Sequence, residues 1–197
     1  MKRFLVIVGL FLFSLSFAQV ITTAEAELED TVQTVPLLPT LNPPFKVKLA
    51  IPSEFAAFKR ENDQWTYWGT KEEVLKYFED RKDLNHPLIR YLILPIKFPI
   101  DQINWMILRF ELAQNFLHKG VDIGNDKGFS WGKYLVWAFA VNTANKGKQA
   151  YAFVAVKDPE SWIIVFQLIP RDRNEPDEKD LEFWNRFLSK TAPVSSS

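Results

Sequence analysis

The chain has 197 residues, 47% of them apolar and 15% aromatic, with no cysteine and as many acidic as basic side chains. Without cysteine there is no disulfide, no thiolate metal site and no lipid anchor behind a leader, so the fold must hold by its apolar core. A near-neutral balance without a basic cluster argues against nucleic acid as a partner.

Met1 to Ala18 has the pattern of a secretory signal: Lys2 and Arg3, an apolar stretch from Phe4 to Phe13, then the small-x-small site Ser16-Phe17-Ala18. Cleavage after Ala18 makes the protein periplasmic or secreted, with no stable membrane span. The alternative is a retained anchor on an envelope structural protein, because Phe4 to Val20 is nearly polar-free and just reaches the shortest membrane-spanning length. Residues 19–44 read as a flexible tether, with Glu25, Glu27, Glu29 and Asp30 followed by Pro36, Pro39, Pro43 and Pro44. Leu37, Leu38 and Leu41 are the residues of that tether expected to dock. Residues 45–191 then form one globular domain, and 192–197 a loose tail.

Within the domain, Phe45, Val47, Leu49 and Ile51 alternate with Lys46, Lys48 and Ala50, which predicts a half-buried strand near an edge, ended by Pro52. Gln64 to Trp68 is a second short strand, stopped by Gly69. Thr70 and Glu73 form a capping box that opens a helix over 71–82, with Val74, Leu75 and Phe78 on one stripe. Leu88 to Ile96 is β-like despite Pro95. Asp101 caps a helix ending at Gly120 that is apolar around most of its girth, although periodicity alone leaves a strand open there.

Val121 to Gly128 reads as a polar turn region, and Trp131 to Asn142 as a strand that Asn145-Lys146-Gly147 turns into a hairpin. That hairpin spans Lys148 to Pro170 and turns at Asp158-Pro159-Glu160-Ser161. Its second strand has Trp162, Ile164, Phe166 and Leu168 on one face and Ile163, Val165 and Ile169 on the other. A strand that is apolar on both faces must be covered on both. Asp177 caps a last helix striped by Leu181, Trp184, Phe187 and Leu188. The predicted fold is therefore α+β: a mostly antiparallel sheet with helices on both faces, an α/β/α sandwich.

This order of a tether, a β-pair, a helix, an antiparallel meander and a closing helix with Phe187-Leu188-Ser189 resembles the PsbP and Mog1-like sandwiches. The likeness is best over the last fifty or so residues, and Ile103 to Leu117 departs from it. It implies an exported or luminal accessory or binding role, and it transfers no site residue.

Gly128-Phe129-Ser130-Trp131-Gly132 matches G-x-S-x-G, the pattern of a hydrolase nucleophile elbow. Both histidines, His86 and His118, precede Ser130, so a triad in hydrolase order is impossible, and the segment leads into a strand. A serine hydrolase using Ser130 is thus the rival reading. Two histidines without cysteine make a poor metal set. Asp122 to Gly128 lacks the ligands and glycine of a calcium loop. Glu175, Asp177, Glu178, Asp180 and Glu182 are read as the solvated first turn of a helix. Trp65, Tyr67 and Trp68 are the candidate binding residues, with one side of that strand expected to be open for stacking. The expected function is an exported, non-enzymatic binding or accessory protein that recognises a protein partner or a small apolar ligand, without cofactor or metal.

Overall fold

A computed structural model of the protein describes residues 30–41, 44–81, 83–96, 107–109, 111, 122–143, 147–157, 161–172 and 174–194. The signal and its anchor alternative lie outside these residues, as does most of the helix expected from Asp101 to Gly120. Of that helix, residues 107–109 and 111 are described, and they are helical.

Chain order among the described residues begins with β1 (Asp30–Leu38), β2 (Phe45–Pro52), β3 (Ala56–Lys59), β4 (Thr66–Gly69), α1 (Lys71–Phe78) and β5 (Leu88–Ile96). It continues with β6 (Asp122–Trp131), β7 (Tyr134–Thr143), β8 (Gly147–Lys157), β9 (Ser161–Ile169), α2 (Glu178–Lys190) and β10 (Ala192–Pro193). A seven-stranded antiparallel sheet runs β3-β4-β5-β9-β8-β7-β6, and a separate three-stranded sheet runs β1-β2-β10. The expected hairpin is β8–β9, closed by the pair Lys157 and Ser161. β9 lies between β8 and β5, in register with β5 from Leu88–Ile169 to Ile96–Ser161.

The two faces of β9 feed different clusters. Ile164, Phe166 and Leu168 pack with Val47, Leu49 and Ile51 of β2 and with Phe183, Trp184 and Phe187 of α2. Ile163 and Val165 pack with Leu92, Trp137, Phe153 and Leu108. Ile169 joins Tyr67, Leu84, Leu88 and Val74, the last from α1. Every residue from Ile163 to Pro170 is buried, as the two-sided apolar pattern requires.

Four expectations are corrected. Residues 30–38 of the expected tether form β1, paired with β2 from Asp30–Pro52 to Leu38–Phe45. Leu37 and Leu38 are buried there, and Leu41 packs against the same core. In the expected tail, Ala192 and Pro193 pair with Lys48 and Val47, and just before it Thr191 Oγ1 accepts from Ala50 N at 3.1 Å. The polar stretch after Val121 is not a turn but β6, the edge of the large sheet. An edge strand needs one partner only, so polar residues do not disqualify it. It turns into β7 through Gly132-Lys133, where Gly132 has φ 59° as a tight hairpin turn requires. α1 stops at Phe78, short of the expected residue 82, because Asp80 takes φ 63°.

The entry to α1 follows the expected motif by half. Thr70 Oγ1 accepts from Glu73 N at 3.3 Å, but the Glu73 carboxylate turns away from the cap. Buried, it accepts instead from Asn85 N at 2.8 Å, from Asn85 Nδ2 at 3.1 Å and from Lys76 Nζ at 3.0 Å. This ties α1 to the segment that enters β5. Gly69 makes the same junction tight, since a Cβ there would lie 2.4 Å from Leu88 Cδ2 and 3.1 Å from Val74 Cγ2. Gly69→Ala is expected to cost about 1–3 kcal/mol through overpacking, read as a lower denaturation midpoint at unchanged slope. A midpoint equal to wild type would show that the junction is looser than this.

Candidate binding site

Arg90 is the one charged residue in β5, and Gln167 the one amide in β9; both interrupt otherwise apolar strands. Register brings them together. Tyr67 of β4 opposes Arg90, Arg90 opposes Gln167, and Gln167 opposes Tyr151 of β8, which places four polar side chains in one row across one face of the sheet.

The row is tied at both ends. Tyr67 Oη donates to Asp63 Oδ2 at 2.7 Å, and Asp63 Oδ1 accepts from Trp65 N at 3.0 Å. Tyr151 Oη donates to Gln149 Oε1 at 2.8 Å. In the middle, Arg90 Nε donates to Gln167 Oε1 at 2.7 Å, and the guanidinium carbon lies 4.2 Å from the centre of the Trp65 ring. A ring face and an amide oxygen thus fix the plane of the cation. No carboxylate among the described residues pairs with Arg90 or with Lys148.

Beside the row lies a cavity of about 290 Å³. Arg90, Gln167, Gln149, Lys148, Tyr77 and Asp80 are among its lining residues. It is an open polar cleft, and among the described residues its walls carry two cations, Arg90 and Lys148, and one carboxylate, Asp80.

Burial, and then the bond to Asp63, push the Tyr67 hydroxyl up to about 12, with Arg90 pulling the other way. Asp63 itself sits below the ordinary carboxylate range: burial opposes this, but the Trp65 N–H, the Tyr67 hydroxyl and the charges of Arg90 and Arg60 outweigh it. Because the folded phenol has the raised pKa, its contribution to stability is complete below the ordinary tyrosine pKa near 10 and is lost as pH rises through about 12. In an ultraviolet titration, the absorbance step that Tyr67→Phe removes is expected near 12, and Asp63→Asn is expected to move it down. A step at the ordinary tyrosine value would contradict the burial of this hydroxyl.

The three aromatic residues expected to bind are not a free platform. Tyr67 is 3% exposed, packed on Tyr77 and Phe78, and Trp68 is 5% exposed on the opposite face, beside Tyr91. Trp65 is half-buried and covered by Arg90. Alternation along a strand places Tyr67 and Trp68 on opposite faces, and both faces of this sheet are packed. What Trp65 and Tyr67 supply is support for Arg90, while Trp68 belongs to the core on the other face.

The backbone of Ser130 lies within β6 opposite Leu135, so the strand-to-helix elbow of a hydrolase is not formed. His118 lies outside the described residues. Asp122 is likewise in β6, opposite Asn142. Among the acidic residues at the start of the last helix, Glu178 and Glu182 are exposed, but Asp180 is buried and bonded to Arg171 Nε at 2.9 Å. This departs from the expected solvated turn.

No family model matches the sequence, and no curated protein matches it. Solved structures do. LpqN of Mycobacterium tuberculosis, described as involved in cell envelope biogenesis, has a TM-score of 0.51 at 10% identity, covering 83% of this chain and 92% of that one. The Ran-binding protein Mog1p of Saccharomyces cerevisiae has a TM-score of 0.45 at 10% identity, covering 82% and 95%. The cyanobacterial PsbP of Synechocystis has a TM-score of 0.46 at 7% identity, covering 75% and 86%. The resemblance expected from element order returns in these matches; at such identities the likeness to LpqN is one of fold alone, and the chain is a mostly antiparallel α+β protein similar in architecture to it.

Proposed function

We propose that the protein is an exported, non-enzymatic binding or accessory protein of the cell envelope, whose ligand or partner engages the cavity beside Arg90. The observation that carries this reading is the guanidinium fixed at the wall of that cavity by Gln167 and Trp65, with no ion pair to a carboxylate among the described residues. A binding site is recognised by a few convergent polar groups held rigid by the scaffold, and the row across β4, β5, β9 and β8 has that character. The polar lining favours a charged or hydrogen-bonding ligand over the small apolar one expected from the sequence. LpqN, whose fold this chain shares, is described as involved in envelope biogenesis. Fold alone assigns no function, so that description agrees with the reading without carrying it.

The signal at residues 1–18 is the basis for export, with cleavage after Ala18. The sheet is completed as an α/β/α sandwich by helical cover on its second face, to which α1 and residues 107–109 and 111 contribute. A photo-crosslinking side chain at Asn174, exposed at the cavity, tests the binding role in cells of the source organism. Adducts are expected at Asn174 and not at Glu61, an exposed position away from the cavity lining. Equal labelling at both, or none at either, would overturn the assignment. Fractionation followed by N-terminal sequencing is expected to find Gln19 first, in the envelope or the medium.

A further inference from the structure

We infer that the cavity takes the carboxylate of a small molecule, held by Arg90 with Lys148 as the second cation. This rests on the binding role proposed above and names the chemistry of its ligand. Three features of the site point to a carboxylate.

The first is the state of Arg90. It is half-buried, its Nε is committed to Gln167, and its π-face is committed to Trp65. Removing a guanidinium from water is costly unless an anion or several acceptors compensate. Asp63, beyond Tyr67 on the row, feels the charge of Arg90 but forms no ion pair with it, because its oxygens bond to the Tyr67 hydroxyl and the Trp65 amide; the Tyr67 hydroxyl compensates Arg90 only in part. A planar fork held in this way matches the two oxygens of a carboxylate.

The second feature is the surrounding wall. Lys148 adds a cation with no carboxylate partner among the described residues, while Gln149 and Asn174 add amide groups for a polar ligand. Asp80 is on the same wall. Its charge penalises a doubly charged phosphate more than a singly charged carboxylate, which is why the assignment is to the latter.

The third is size. At about 290 Å³ the cavity is at the lower end of ligand pockets, so the occupant is a small acid or the carboxyl end of a short peptide. Both present the same group to Arg90.

Calorimetric titration of the purified chain separates these sources. The probes are butyrate, a blocked dipeptide with a free C-terminus, the same dipeptide as its amide, and inorganic phosphate. The acid form of the dipeptide, butyrate, or both are expected to bind, with the amide at least about tenfold weaker because a charge-assisted bond is lost. Whichever acid binds tighter identifies the source. Arg90→Gln is expected to abolish binding, Lys148→Gln to weaken it, and Lys59→Gln, away from the cavity lining, to leave it unchanged. Should Arg90→Gln fail to fold, the acid-against-amide comparison on the wild-type chain decides alone. Equal affinity for acid and amide, tighter binding of phosphate, no binding of either acid, or full affinity in a folded Arg90→Gln chain would each overturn the inference. Crosslinks at Asn174 together with failure of both acids would leave the binding role standing and remove only the carboxylate.

Discussion

Phe166→Ala is expected to cost about 3–5 kcal/mol in chemical denaturation, close to the whole stability of a marginal domain. The ring is 1% exposed on the central strand of the large sheet. Its centre lies 5.6 Å from that of Phe187 of α2 in an edge-on contact, 6.1 Å from that of Tyr91 of β5 and 6.5 Å from that of Trp131 of β6. One side chain therefore joins the helix to strands on both sides of β9. Its neighbours are held by two sheets and a helix, so they cannot collapse into the space it leaves, and the cavity term adds to the lost burial. Phe166→Leu fills most of that space and is expected to recover a large part of the loss. Near-wild-type stability in Phe166→Ala would mean that α2 does not rest on this sheet.

Arg171→Leu should be of similar size, about 3–5 kcal/mol, because it leaves a buried carboxylate without its cation. Asp180 is 2% exposed and pairs with Arg171 Nε, while Arg171 Nη2 pairs with Asp177, the cap of α2. The cap is a reciprocal box: Asp177 Oδ1 accepts from Asp180 N at 2.8 Å, and Asp180 Oδ2 accepts from Asp177 N at 3.3 Å. Burial pushes the Asp180 carboxyl up against the pull of Arg171. Asp177 is held down, first by the Asp180 N–H.

The signs of the two acids then differ. Asp177, lowered on folding, contributes stability above the ordinary carboxylate range that is lost as pH falls. Asp180, raised on folding, works the other way and weakens the fold as pH rises through its own pKa. Without Arg171 the second effect grows, so the deficit of Arg171→Leu is expected to be larger at neutral pH than in mild acid. Joint replacement of Arg171 and Asp180 by leucine should restore much of the loss. A pH-independent deficit would place its origin in packing and not in the stranded charge.

Local pattern carried the parts of this fold whose causes are local. β5 runs over the expected Leu88–Ile96, since it is a central strand and its apolar run is set by burial on both faces. Asp177 caps α2 as expected, because capping depends on residues within one turn. β1, β3, β6 and β10 were not anticipated. β1, β3 and β6 are edges, and β10 is a two-residue strand; one-sided pairing of this kind leaves too weak an apolar pattern to read.

The site was legible only in fragments. The sequence pointed to Trp65, Tyr67 and Trp68, with one side of their strand open for stacking, whereas both sides are packed: Trp65 and Tyr67 lie against Arg90, and Trp68 is buried on the other face. Arg90 and Gln167 stood out as polar interruptions of apolar strands. Their meeting depends on the register between residues 77 positions apart, which no local spacing encodes.

The side-chain Nε–H signal of Arg90, followed by nuclear magnetic resonance with and without a carboxylate ligand, tests the central claim most directly. If Gln167 and Trp65 hold this guanidinium ready for an anion, the signal is slow to exchange in the free protein, is released in Gln167→Leu, and shifts when the acid is added but not with its amide. A signal that exchanges freely and does not respond to the acid would contradict the account.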